Sequence, residues 1–278
     1  MEDYASEADQ EALEILKATG PLPFLAKTLI VEPRMRRLKA SLSAHAIHIS
    51  RIQELDAIMR ECAGNLCLDF LPAVYIQDLG RPNAFTFGTD AEPIIVLDNR
   101  LLRLLVRGEW LALLGHEMGH VKTQHLIYHS LAEILIEGAG FSASVLGFGF
   151  VTTPIRLALL AWHRESELSA DRAALIASSE VRHVASMFAK ILGIPTATLM
   201  NGPSLSDTFF EAFQSHPMHA NRIRALIDFS RSREFAMVTK KIERRRMLKA
   251  ALMSSCKFCG APKPVRAPFC PSCQRSQV

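Results

Sequence analysis

His116 and His120 stand four residues apart, with Glu117 beside the first, in the run Trp110-Leu111-Ala112-Leu113-Leu114-Gly115-His116-Glu117-Met118-Gly119-His120. On a helix, residues four apart share one face a turn apart, so both imidazoles can reach the same ion. A zinc ion held by two such histidines leaves the neighbouring glutamate free to act on a water molecule. The chemistry this spacing supports is metal-assisted hydrolysis. It requires helical context, which the apolar residues Leu111 to Leu114 and Leu126 to Ile136 supply.

A third ligand has to come from elsewhere in the chain. Trp162 to Asp171 reads Trp-His-Arg-Glu-Ser-Glu-Leu-Ser-Ala-Asp and runs into helix-favouring residues. Glu167 and Asp171 lie four apart on one face, so one can bind the metal while the other holds the free ring nitrogen of a ligating histidine. From spacing, either acid can be the ligand, and His163 also sits one turn from Glu167. Later in the chain, His216-Pro217 stands at a helix entry, where a structural cap is the alternative to a catalytic role.

The tail carries a second candidate metal centre. Cys256-x-x-Cys259, ten residues, then Cys270-x-x-Cys273 is a four-thiolate zinc spacing, and a lobe this short needs a metal to fold. Cys62 and Cys67 lie in an apolar setting and read as buried free thiols.

The elements that position these groups follow from periodicity. Residues 5–18 form a short acidic helix closed by Gly20 and Pro21-Leu22-Pro23. Leu38 to Met59 has apolar positions at helical spacing and is expected to be one helix, with His45 and His48 as ordinary members. Between Ala73 and Asp98 come three short β-type runs, Val74–Ile76, Ala84–Phe87 and Ile94–Leu97, with turns at Gly80–Asn83 and Gly88–Pro93. A small sheet just before the metal helix offers an edge strand for an extended peptide, or simply covers the helix. Gly138 to Ile155 carries no formal charge, yet glycines, Pro154 and hydroxyl residues interrupt it. A buried hairpin and a membrane-inserted one both fit, and burial or contact with a membrane surface is expected for residues 138–161.

Composition bounds the rest. The 278 residues suit one main domain with a small appendage. The net charge of +4 is concentrated between Arg231 and Ala250, where eight Lys/Arg face two Glu. That stretch reads as a solvated basic helix, and nucleic acid is not an expected partner. The acidic start Met-Glu-Asp-Tyr shows no secretory signal, so the expected location is the cytoplasm, with association to a membrane left open by residues 138–161. Six cysteines in that setting favour metal over disulfides.

Together these blocks resemble zinc metallopeptidases of the HtpX and CAAX-prenyl-protease type, of the gluzincin kind, over about residues 70–230. The family's strand motif resembles Asn83-Ala84-Phe85 with Gly88, and its catalytic motif matches His116 to His120 in full. The resemblance selects Glu167 as the third ligand and Asp171 as its hydrogen-bonding companion. It implies that Glu117 is the general base, that His216 stabilises the oxyanion, and that Arg222 holds the site by ion pairing. Met218 stands where the family often has a second proline, and the family's membrane members carry spanning helices that this chain lacks at its N-terminus. The four-cysteine lobe lies outside the family pattern.

The expected fold is therefore α+β and mainly α: a zincin-like core with a small antiparallel sheet whose edge strand faces the cleft, plus a C-terminal zinc ribbon. Residues 1–69 form an N-terminal helical region, 70–230 the peptidase core, 231–255 a basic helical linker and 256–278 the ribbon. The expected activity is zinc-dependent endoproteolysis of extended or unfolded protein, a quality-control role, with Asn83, Ala84 and Phe85 binding the substrate backbone. Two zinc ions are expected, one catalytic and one structural. The rival reading is a non-catalytic zinc-ribbon adaptor for a protein or nucleic-acid partner.

Overall fold

The computed structural model describes residues 5, 7–18, 20, 22–123, 126–137, 153–194, 217–265, 267–270 and 272–276. The chain opens with α1 (Glu7–Lys17), whose Leu13 and Leu16 are buried and whose Asp9 accepts a hydrogen bond from the Trp162 indole at 2.8 Å. A continuous helical stretch follows: α2 (Leu22–Leu25), a π-helical turn (Ala26–Val31) and α3 (Glu32–His45). The single helix expected over Leu38 to Met59 is broken. Ala46 turns extended, Ile47–His48 form strand β1, and after a 3-10 turn at Ile49–Arg51 the α-helix resumes only at α4 (Gln53–Asn65). The break is fixed by strand pairing, Ile47 opposite Ile76, and by the His48 ring, which accepts from the Ser50 amide. Periodicity cannot register such a break, because the apolar positions keep their spacing on both sides of it. His45 ends α3, exposed, and His48 lies in a strand rather than a helix.

Three further strands, β2 (Ala73–Gln77), β3 (Ala84–Thr89) and β4 (Glu92–Asp98), complete a sheet of order β1-β2-β4-β3. The expected antiparallel sheet is in fact mixed. β3 and β4 form an antiparallel hairpin and β1 runs antiparallel to β2, but β4 lies parallel to β2. Residues 78–83 carry the chain past β4 so that the hairpin folds back into the gap. The turn expected over Gly88 to Pro93 shrinks to Asp90-Ala91, since Thr89 pairs with Glu92 and Gly88 with Pro93. Pro93 fits because β2 begins opposite Ile94, so the missing N–H falls beyond the last inter-strand bond on that side. Gly88 is obligatory: its φ is +133°, and a Cβ there would meet the Glu92 carbonyl oxygen at 2.4 Å.

Behind the sheet, a short α5 (Leu101–Leu104) leads to α6 (Arg107–Lys122), in which every residue from Glu109 to Val121 is buried. A helix apolar all round belongs in a core, and α6 is enclosed by α4, β3, α8 (Thr153–Ser178) and α9 (Val181–Leu192). The Glu109 carboxylate anchors its start, accepting from the Val106 amide at 2.8 Å, Ser186 Oγ at 2.6 Å and Lys190 Nζ at 2.7 Å. α7 (Leu126–Glu137) lies against β3, and its Ser130 both donates to and accepts from the Gly88 backbone. After α10 (Pro217–Ser230), α11 (Arg233–Ala251) buries Val238 and Ile242 but leaves Met237, Met247 and Leu248 exposed. A hairpin of β5 (Met253–Ser255) and β6 (Pro262–Pro264) carries the first two tail cysteines.

Among the described residues no helix is long and apolar enough to cross a membrane. Residues 138–152 lie outside the described residues, while Leu159 and Trp162 are buried in the core as part of α8. Cys62 is a buried thiol as expected, and burial pushes its pKa far up; Cys67 is half-buried with φ +52°.

Candidate metal centre

α6 and α8 approach unusually closely because small residues line both faces. A Cβ built on Gly115 would lie 2.6 Å from Ala177 Cβ and 3.0 Å from Ala174 Cα; one on Gly119 would lie 2.9 Å from Ala173 Cβ. Backbones in such contact bring the side chains one turn further along within bonding reach. Glu167 of α8 therefore meets both histidines of α6, with Oε2 3.5 Å from His116 Nε2 and Oε1 3.3 Å from His120 Nε2. An imidazole nitrogen and a carboxylate oxygen on one tetrahedral zinc are separated by about 3.4 Å at ordinary bond lengths. The donor set and spacing fit such an ion.

Spacing alone leaves Glu167 and Asp171 equivalent; packing separates them. Asp171 lies behind His116, its Oδ1 3.1 Å from Nδ1, on the side away from Glu167. Arg222 of α10 grips both acids. Its Nε and Nη2 donate to Asp171 at 2.7 Å each, and its Nη1 lies 2.9 Å from Glu167 Oε2. Its guanidinium also sits 4.7 Å from the centre of the Phe188 ring. Burial by itself would push both carboxyls up. The Arg222 charge overcomes it, with help from the histidines, and holds Glu167 well below the usual carboxylate range and Asp171 below it. Burial would likewise lower His116, yet Asp171 and Glu167 raise it to about 10 in the metal-free protein.

Glu117 lines the same cavity as the donors. Thr86 of β3 donates to its Oε2 at 2.6 Å, and burial pushes this carboxyl above its usual range against the pull of His116 and His120. Thr86 had no signal in the sequence beyond its place in a strand. Asn83, Ala84, Phe85 and Thr86 line one wall of a cavity of roughly 220 Å³ that reaches His116, Glu117 and His120. Among the described residues β3 has a strand neighbour on one side only, and Ser130 covers its free edge at Gly88, leaving the edge nearer Asn83 beside the cavity. His216 lies outside the described residues. His219, one turn further on, lines the cavity with its ring against Phe188.

In the tail, the four thiols of Cys256, Cys259, Cys270 and Cys273 lie within 4.8 Å of one another, with two Sγ–Sγ separations of 3.7 Å. Four sulfurs at ordinary Zn–S distance around one tetrahedral ion stand about 3.8 Å apart.

The model of peptidase family M48 matches residues 50–229. This chain belongs to family M48. Related sequences include the plastoglobule-localized metallopeptidase 48 of Arabidopsis thaliana, a chloroplast protein, at 26% identity over 88% of this chain and 77% of the relative. A protease HtpX homolog of Burkholderia mallei (strain SAVP1) is 25% identical over 59% of this chain and 70% of its own length. The M48 match takes in strands β2 to β4, α6, α8 and nearly all of α10, so it covers all the residues that converge around Glu167. The chain is thus a member of a metallopeptidase family with candidate metal-binding groups in its core and in its tail.

Proposed function

We propose that this M48 member is a zinc metalloendopeptidase that cuts extended or unfolded protein segments. The observation that carries the reading is the convergence of His116, His120 and Glu167 within bonding distance of one ion, with the Glu117 carboxylate alongside. Bound there, zinc would polarise the scissile carbonyl and acidify a water molecule. Glu117 takes the proton from the attacking water and delivers it to the leaving amide nitrogen. Its raised pKa suits both roles, and the hydrogen bond from Thr86 to Oε2 holds the carboxylate in place. Asp171 keeps His116 in the tautomer whose Nε2 faces the ion, and Arg222 holds the two acids in register. His216 is assigned to the carbonyl oxygen as charge develops there.

The peptide adds to the free edge of β3 at Asn83, Ala84 and Phe85 through main-chain hydrogen bonds, which tolerate many sequences. In this reading the hydrolase unit is residues 70–230, with the helical region 1–69 before it, the linker 231–255 after it, and a ribbon at 256–278 built around a structural zinc.

Glu117→Gln tests the mechanism. Metal content should stay at the wild-type level while cleavage of an unfolded reporter falls by about 10²–10⁴-fold. Cleavage at the wild-type rate would remove the mechanism.

Zinc uptake should also depend on pH in a defined direction. The metal-free His116 holds a proton up to about pH 10, and an incoming ion must displace it. Apparent affinity should therefore rise by about tenfold per pH unit below that value. Competition against a chelator of known pH dependence measures this, and a flat profile from pH 7 to about 9 would contradict it.

A further inference from the structure

Beyond the hydrolytic centre lies a second convergence of donors. His129 and Glu133 are one turn apart on α7, and His163 and Glu167 are one turn apart on α8. The two helices thus face each other with the same His-x-x-x-Glu spacing. Ring nitrogens of His129 and His163 and a carboxylate oxygen of Glu167 all lie within 4.8 Å of one another. His163 Nε2 is 2.8 Å from Glu133 Oε1 and 3.8 Å from Glu167 Oε1. We propose that His129, Glu133, His163 and Glu167 form a second divalent-metal site, suited to zinc, that shares Glu167 with the hydrolytic centre. The assignment of Glu167 rests on the reading above; the other three residues take no part in it.

Two observations carry the inference. His129 is 95% buried, and its Nδ1 has no hydrogen-bond partner among the described residues, a costly state for a purely structural imidazole. The His129 ring stacks on His120 at 4.0 Å and on His163 at 5.3 Å, nearly parallel to both, so the three imidazoles form a file along the cleft. The two imidazoles favour zinc over calcium or magnesium, which take all-oxygen sites, and zinc also accepts the two carboxylates. Glu133 lines both the cavity of the hydrolytic centre and a second one bordered by His163 and Glu167, and its side chain is about one-third exposed.

Equilibrium dialysis of the full chain against zinc, with metal counted by mass spectrometry, tests the site. His129→Ala/His163→Ala should bind one ion per chain fewer than wild type; an unchanged count overturns the proposal. In parallel, His116→Ala/His120→Ala reports on the hydrolytic centre, and an unchanged count there overturns the metallopeptidase mechanism instead. Because the first pair of changes can impair folding, unaltered protein crystallised with zinc gives an independent measure. Anomalous scattering between His129 and His163 supports the site, and a signal confined to His116, His120 and Glu167 overturns it.

Discussion

Replacing Gly115 by alanine should destabilise the protein by about 1–3 kcal/mol and weaken metal binding, although alanine is the better helix former. Helix propensity alone predicts the opposite sign, a gain of about 1 kcal/mol. Packing decides. The new methyl would lie 2.6 Å from Ala177 Cβ and 3.0 Å from Ala174 Cα, on a helix whose backbone cannot yield cheaply. Relief requires α6 and α8 to separate, and their closeness is what holds Glu167 near His116 and His120. Two companions isolate the cause. Gly64→Ala in α4 meets nothing within 4 Å and should leave stability unchanged or raise it. Gly115→Ala/Ala177→Gly removes the nearest clash and should recover part of both losses. Chemical denaturation and metal titration of the set check this, and a Gly115→Ala protein as stable as wild type would refute it.

Arg222→Met should cost about 3–5 kcal/mol in the metal-free protein, because it strands two carboxylates in the core. Asp171 is almost fully buried and receives two guanidinium bonds, while Glu167 receives a third contact. The sign with pH follows from the same pair. Both carboxyls are held below their usual range in the folded chain, so they contribute stability above about pH 4. That contribution is lost as the pH falls through their folded values. Without Arg222 the acidic loss should shrink, since burial then favours the protonated acids. Metal-loaded variant protein should be less affected than metal-free, because an ion beside Glu167 replaces part of the missing charge. Denaturant curves for both forms at neutral and acid pH measure these effects. A metal-free variant within about 1 kcal/mol of wild type would show that the guanidinium is not needed to bury the acids.

Much of this protein was legible in the residue order wherever one element carries the whole message. The four-residue spacing of His116 and His120 fixes two donors on one helix face, and the short spacing of the tail cysteines fixes two knuckles. β2, the hairpin strands and α1 were equally visible, since alternation and caps are local properties. What spacing could not supply was anything set by the distance between elements. Whether Glu167 or Asp171 faces the donors depends on how α8 crosses α6, and that crossing is set by Gly115 and Gly119 against alanines far along the chain. Thr86 reaches Glu117 only because β3 lies at the sheet edge over α6, and the parallel pairing of β2 with β4 follows from where the hairpin docks. The break at Ala46 likewise comes from a strand partner, Ile76, thirty residues downstream of it. Local order determines which groups a face presents; close packing of distant segments decides which of those groups meet.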